Sequence, residues 1–260
     1  MTNVLVCIKR VPDAAGEVLL TADEQSLDAR FVGFTVSAHE NSAVELAVRI
    51  AAADGGTATV LSLGPAETVE QLRGALGVGC GAAVLIEADP VGYGPADVAR
   101  EIAAVVTAHE AEGRTYDLIL LGNDAADTGD FQVGIRLAYE LGRPVVNGVR
   151  TVEVGWNDSG GVATARGDGI DGVETYAVPL PAVVTVLEGG VEPRYPTITG
   201  RMKAKKTPIK TVAPRQEPRG PERVRLTLPP AQPSTVDVLG EGPDAAAAVV
   251  DLLQRLGVSR

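Results

Sequence analysis

Leu120-Leu121-Gly122-Asn123-Asp124-Ala125-Ala126-Asp127-Thr128-Gly129-Asp130-Phe131-Gln132-Val133-Gly134 runs from an apolar strand, through a loop of small residues, into the start of a helix. That order suits phosphate binding. A helix N-terminus offers free backbone N–H groups and the positive end of its dipole, and ligands of open α/β sheets collect beyond the carboxyl ends of the strands. Gly122, Ala125, Ala126 and Gly129 are small enough to let backbone approach a ligand closely. The stretch has neither a Walker lysine nor G-x-G-x-x-G spacing, so a P-loop NTPase and a standard dinucleotide fold are both unsupported. The plainer alternative is a helix cap, with Asp127 or Asp130 accepting from the N–H groups of the first turn.

A second chemical feature is Glu-Pro-Arg-Tyr-Pro-Thr-Ile-Thr-Gly-Arg-Met-Lys-Ala-Lys-Lys at 192–206, a basic run beside an apolar tip in a chain of net charge −11. It reads as a docking surface, against the alternative of a solvated helix face. Nucleic acid is a poor partner for so acidic a protein, because such binding depends on clustered positive charge that displaces counterions. Cys7 and Cys80 are far apart and form no CxxC pair, so neither a disulfide framework nor a zinc site is indicated. Cys7 reads as an apolar filler of the interior rather than a reactive thiol.

These stretches need a scaffold, and the sequence predicts one. Apolar strand-like runs at Asn3–Lys9, Thr57–Leu63, Ala82–Glu87 and Asp117–Leu121 alternate with helical stretches at Ser42–Ala53, Glu67–Leu76, Ala96–Ala111 and Asp130–Leu141, with a small hairpin between the first strand and first helix. Such alternation implies parallel β-α-β units with strands buried on both faces, hence an α/β fold with a doubly wound, mostly parallel sheet. From about Pro144 the pattern turns to valine-rich strands, Val145–Val154, Gly161–Arg166, Glu174–Val178 and Ala182–Leu187, expected to continue or flank the sheet as hairpins. Prolines 208, 214, 218, 221, 229, 230, 233 and 243 mark residues 207–243 as an extended arm. Asp244–Leu256 is predicted to be an amphipathic helix that packs on something; the arm either folds back or wraps a partner. The organisation expected is a domain at 1–190, a docking segment at 191–206 and an arm with its helix at 207–260.

The hydrophobic fraction is 45% and mean hydropathy +0.12, yet no apolar run reaches the roughly 18 residues of a membrane helix. The first ten residues lead directly into a strand without the pattern of a secretory signal. A protein of the cytoplasm, without direct membrane insertion, is the expectation.

The chain resembles the β subunit of electron transfer flavoproteins. The likeness is carried by Val4-Leu5-Val6-Cys7-Ile8-Lys9-Arg10-Val11-Pro12-Asp13, by Asn41-Ser42-Ala43-Val44-Glu45-Leu46-Ala47-Val48-Arg49, by Leu63-Gly64-Pro65 and by the Gln132-Val133-Gly134 ending of the loop. Its most specific part is Glu192-Pro193-Arg194-Tyr195-Pro196-Thr197 followed by Met202-Lys203-Ala204-Lys205-Lys206. The resemblance implies a heterodimer in which an α subunit holds most of the FAD while this chain supports it, binds one structural AMP and has no catalytic residues of its own. Electrons would pass from client flavin dehydrogenases, such as acyl-CoA dehydrogenases, to a quinone reductase, and the C-terminal arm would pack on the partner subunit.

Carried over position by position, the AMP-lining residues would be Cys7, Ser37, Ala38, His39, Glu40, Leu63 and Gly122 to Val133. Backbone amides near Asp130 to Val133 would hold the phosphate, and strand one near Cys7 would face the adenine. Ser37-Ala38-His39 departs from the Asn-Pro-Phe of many relatives; His39 is read either as a solvated loop histidine or as a hydrogen-bond partner of the nucleotide. The docking segment would act as a recognition loop through Thr197, Ile198, Thr199, Arg201, Lys203, Lys205 and Lys206. Ile198 stands where leucine is usual, and Thr199-Gly200-Arg201 replaces Pro-Asn-Ile. Two alternatives accompany this reading: a flavin-bifurcating relative with a second FAD in the AMP site, and a stand-alone adenine-nucleotide-binding domain of the stress-protein type.

Overall fold

The computed structural model describes residues 1–13, 18–220, 225–230 and 236–258, in two compact units divided after Leu226. In chain order the first unit contains β1 (Val4–Cys7), β2 (Val11–Pro12), β3 (Phe34–Thr35), α1 (Ala38–Ala53), β4 (Ala58–Gly64), α2 (Val69–Val78), β5 (Ala82–Glu87) and α3 (Pro95–Ala111). It continues with β6 (Leu118–Gly122), α4 (Val133–Leu141), β7 (Val145–Asn157), β8 (Gly160–Gly169), β9 (Gly172–Pro179), β10 (Ala182–Val186), α5 (Ile198–Lys206) and β11 (Ile209–Val212). The second unit, taken by itself, carries a 3-10 turn at Gly242–Asp244 and α6 (Ala245–Arg255), whose Val249 and Val250 are exposed.

Nine strands form one sheet in the order β11-β5-β4-β1-β6-β10-β7-β8-β9. Pairing is parallel from β11 to β7 and antiparallel from β7 to β9, so the doubly wound, mostly parallel sheet expected from the sequence is present. Alternate side chains of a strand face opposite ways, and β1 divides accordingly. Val4 and Val6 enter the core beneath α1 and α2, whereas Leu5 and Cys7 enter the one beneath α3 and α4. β2 and β3 pair antiparallel, the small hairpin expected before α1. Among the described residues no helix is long and apolar enough to cross a membrane.

Most boundaries shift from the sequence-based ones, and four of the differences have a clear local reason. α1 begins at Ala38 rather than Ser42, because Ser37 caps it: the Ser37 hydroxyl accepts from Glu40 N–H while the Glu40 carboxylate accepts from Ser37 N–H. α4 begins at Val133 rather than Asp130, since Ala125 to Asp130 close on themselves: Ala125 N–H donates to Asp130 O, and Gly129 N–H to Ala125 O. The docking segment, expected as a loop, is helical from Ile198, with Thr197 Oγ1 accepting from Gly200 N–H. The start of the expected arm adds β11 to the sheet edge, where Ile209–Val212 pairs with Ala83–Ile86 of β5. Pro221 and Pro233, two of the residues that marked the arm, lie outside the described residues.

Beyond β11 the chain is fixed by two buried carboxylates of α3. Glu101 accepts from Arg215 N–H and Gln216 N–H at 2.8 and 2.9 Å, and Asp97 from Arg219 N–H and Gly220 N–H at 2.9 and 2.6 Å. Irregular backbone is held because its donors are satisfied by ionised acceptors. Replacing Asp97 by alanine is expected to cost about 1–3 kcal/mol and to open new tryptic cleavage at Arg215 and Arg219, read by chemical denaturation and limited proteolysis.

Candidate functional site

Beyond the carboxyl ends of β1, β4 and β6 lies a cleft of about 560 Å³, within the roughly 300–1,000 Å³ of small-ligand sites. Its position follows from topology, since the parallel strands all end on this side and their connections to the helices form the walls. Cys7 ends β1, Leu63 and Gly64 end β4, and Gly122 ends β6, leading into the loop. Pro65, Tyr93, Val98 and Ile102 supply an apolar wall, and the start of α4 closes the opposite side with Val133 and Gly134.

Of the residues singled out in the sequence, Cys7, Glu40, Leu63, Gly122, Asn123, Asp124, Ala125, Asp127, Thr128, Asp130 and Val133 line this cleft. Ser37, Ala38, His39, Ala126, Gly129, Phe131 and Gln132 do not. Ser37 is occupied as the α1 cap, and Phe131 is exposed. His39, in the first turn of α1, has Nδ1 close against Asp124 Oδ1, so it is a half-buried helix residue behind the cleft-lining Asp124 and not a solvated loop histidine.

The glycines serve purposes other than ligand approach. A Cβ on Gly122 would come within 2.7 Å of Glu40 Cγ, so its bareness admits the first turn of α1. At Gly129 the space is open, but φ is +66°, the left-handed region that favours glycine and closes the turn.

The strongest electrostatic feature is Glu40. Its carboxylate accepts from Lys9 N–H at 2.6 Å, from Ser37 Oγ at 2.8 Å and from Ser37 N–H at 3.1 Å, joining the end of β1 to the start of α1. Burial pushes its pKa up to about 7, against the opposing pull of those hydrogen bonds and of Lys9. Burial, and then the neighbouring Glu40, raise the Cys7 thiol, which is therefore protonated and fills space.

Lys9 and Arg10, both lining residues, went unassigned in the sequence; the strand-end rule that drew attention to Gly122 applies equally to the residues after β1. Lys9 Nζ pairs with Asp127 at 2.6 Å, and the Arg10 guanidinium lies 3.4 Å above the Phe34 ring centroid. Burial lowers the Arg10 pKa, with Glu67 and Glu70 opposing.

The docking segment lies across the sheet's other face. Arg194 forms a forked ion pair with Glu45 of α1, Nη2 at 2.7 Å and Nε at 2.8 Å, and its N–H also donates to Glu45. Glu45 is fully buried; burial raises its pKa, but hydrogen bonds, those of Arg194 foremost, bring it below the usual range. Arg73 of α2 donates to the carbonyls of Ala204 and Thr207 at the end of α5. Gly200 packs against Gly77 so closely that a side chain would strike the Gly77 carbonyl, which makes Gly200 a packing residue. Ile198 and Met202, four residues apart on α5, are 81% and 60% exposed, and Tyr195, in the segment before the helix, is 90% exposed. Thr199, Arg201, Lys203, Lys205 and Lys206 are exposed around them.

A groove of about 1,010 Å³ runs between α1, α2 and residues 188–196. It is larger than the cleft, but its two arginines are already paired, Arg194 with Glu45 and Arg150 with Asp168. The strand-end cleft is the better candidate for a small ligand.

Residues 29–217 match the electron transfer flavoprotein domain. Proteins similar over nearly the whole chain include the electron transfer flavoprotein subunit beta of Syntrophomonas wolfei, 32% identical over 243 residues, spanning 92% of this chain and 90% of the relative. The subunit beta of Bacillus subtilis is 31% identical over 260 residues, 97% of each chain. That of Mycobacterium tuberculosis strain H37Rv is 35% identical over 214 residues, 80% of this chain and 78% of the relative.

The raised pKa of Glu40 carries a sign. Between the ordinary value of 4.5 and about 7 the folded chain holds a proton that the unfolded chain has lost, so stability falls as pH rises through this window. The contribution lost is of order 1–3 kcal/mol. Glu40→Gln is expected to flatten that part of the stability curve, as measured by urea denaturation between pH 4 and 8.

Proposed function

This chain belongs to the electron transfer flavoprotein family, and we propose that it works as the β subunit of a heterodimer, binding AMP in the strand-end cleft and supporting an FAD held mainly by an α subunit. The observation that carries the proposal is the pairing of that cleft with a separate, firmly seated α5 that exposes Ile198 and Met202. One chain thus offers a small-ligand site at the strand ends and a separate docking surface on the α1–α2 side of the sheet.

The fit to a nucleotide monophosphate rests on the cleft's own groups. The first N–H groups of α4, at Val133, Gly134 and Ile135, have no helical acceptor and are available to a phosphate. The amides of Ala125, Thr128 and Gly129 are already used within the loop, so the helix start, and not the whole loop, is the phosphate-binding part. Leu63, Pro65, Val98 and Ile102 offer the apolar slot that an adenine ring needs. When bound, FAD supplies the electron-carrying chemistry. This chain's residues bind, orient and dock: the reading is an electron carrier subunit and not a catalyst.

For docking, Ile198 is the anchor, flanked by Tyr195 and Met202, while Arg201, Lys203, Lys205 and Lys206 attract acidic surfaces and speed encounter more than they add affinity. The clients are flavin dehydrogenases, such as acyl-CoA dehydrogenases, and the acceptor a quinone reductase. The branched Ile198 side chain changes the shape presented to a client pocket, which points to a client different from those of leucine-bearing relatives.

Two measurements test this reading. Nucleotides extracted from the purified complex are expected to be one FAD and one AMP per heterodimer; two FAD would instead indicate a bifurcating relative, and a colourless homodimer with ATP a stand-alone nucleotide-binding domain. Ile198→Ala is expected to slow electron transfer from the client about tenfold while leaving FAD and AMP content unchanged. Equal loss of bound nucleotide would refute the anchor role.

A further inference from the structure

Among the described residues, the charged side chains lining the strand-end cleft do not balance: Glu40, Asp89, Asp124, Asp127 and Asp130 stand against Lys9 and Arg10. A phosphate monoester adds a charge of about −1.5 to −2 at neutral pH. Burial disfavours the ionised form of a carboxyl group, so the least solvated of the five is the one most easily neutralised when an anion enters. Only Glu40 is buried, at 6% exposure. It also has a place for a proton. Glu40 Oε1 accepts from Lys9 N–H, and Oε2 lies 2.8 Å from Ser37 Oγ, which itself accepts from Glu40 N–H. A hydroxyl oxygen has two acceptor positions, so Ser37 is able to accept from a Glu40 O–H as well, with its own hydrogen turned aside. The contact that caps α1 then persists with its direction reversed.

The other ionisable groups around the cleft suit this purpose less well. From β1 and the residues after it come Cys7, whose thiol is already protonated, Lys9, paired with Asp127, and Arg10, stacked on Phe34. From the loop after β6, Asp124 is close against His39 of α1, and Asp130 is half-buried. Asp89, after β5, is exposed and accepts from Val91 N–H. The end of β4 brings Leu63 and Gly64 and no charge. We propose that the cleft binds its nucleotide together with a proton, taken from solvent and held on the Glu40 carboxyl group as an O–H donated to Ser37 Oγ; the inference rests on the nucleotide reading above. With the Glu40 pKa at about 7, the empty cleft holds an ionised Glu40 above that pH, and the arriving phosphate draws a proton onto it. Affinity for the dianionic nucleotide therefore falls as pH rises above about 7.

Calorimetric titration of the FAD-loaded, AMP-free heterodimer with AMP near pH 8, in Hepes and in Tris, counts the protons taken up, because the two buffers differ in ionisation enthalpy. At that pH the phosphate, with a second pKa of about 6, contributes none. The wild type is expected to take up about 0.3 to 1 proton per AMP, and its affinity to fall about tenfold between pH 7 and 8.5. Glu40→Gln, which resembles the protonated form, is expected to take up no proton and to bind AMP with an affinity independent of pH in this range. His39→Asn, which removes the other titratable group of this end of α1, is expected to behave as the wild type; with the wild-type measurement it decides the question even where Glu40→Gln does not fold. AMP binding without proton uptake in the wild type, uptake that persists in Glu40→Gln, or uptake that is lost in His39→Asn would each overturn the proposal while leaving the nucleotide site in place. If the AMP-free heterodimer binds no AMP at any pH between 6 and 9, the nucleotide reading itself falls, and this inference with it.

Discussion

Backbone outside regular elements must find partners for its N–H groups, and this chain meets that demand with four buried carboxylates on two helices. On α1, Glu40 accepts from Lys9 N–H and Glu45 from Arg194 N–H; on α3, Asp97 accepts from Arg219 and Gly220, and Glu101 from Arg215 and Gln216. Each carboxylate ties a distant segment to a helix already fixed on the sheet. Charge-assisted bonds are roughly twice as strong as neutral ones, so a few side chains can hold long irregular stretches. The cleft wall, the docking helix and the return of the chain past α3 all depend on this device.

α1 links two of those functions. Glu40 and Glu45 are five residues apart, about 7.5 Å along a helix, yet one fixes the end of β1 beside the cleft and the other fixes the segment that leads into α5. Ser37 and Gly122 determine how α1 sits, Ser37 by capping it and Gly122 by leaving room for Glu40. A disturbance at that end of α1 therefore acts on a wall of the cleft. The packing of α1 beneath β1, with Ala43 and Ala47 fully buried, gives the remainder of the helix little freedom to follow.

The doubly wound fold was legible because its signals are local: apolar strands such as Leu118–Leu121 alternate with helices of clear apolar spacing. α5 was not. Only Ala204 is buried within it, so it lacks the apolar stripe by which helices are recognised, and its conformation comes from the Thr197 cap, from Arg73 at its end and from the contact of Gly200 with Gly77. β11 was hidden by neighbouring prolines, although the four residues between Pro208 and Ala213 pair with β5. In the candidate site, the strand-end loop stood out by its small residues and its place before a helix. Lys9 and Arg10 did not, and the roles of Glu40 and Glu45 could not be read, because their partners are 31 and 149 positions away.

The charge lining the cleft bears on how it can hold an anion. Glu40, Asp89, Asp124, Asp127 and Asp130 line the cleft with Lys9 and Arg10; Lys9 is paired with Asp127, whereas Arg10 stacks on the Phe34 ring and its buried Nε has no hydrogen-bond partner. A phosphate there would meet no Walker lysine, but one lining cation, Arg10, that has no ion pair among the described residues. It would also meet main-chain N–H groups, whose direction is fixed by the fold, in the first turn of α4. That turn is placed by Gly134, where a side chain would collide with Thr185 of β10. Thr185 is in turn fixed, accepting from Gly148 N–H and donating to Asn123 Oδ1. The direction of these N–H groups is thus a property of how α4 packs on the sheet and not of a phosphate-binding signature in the loop.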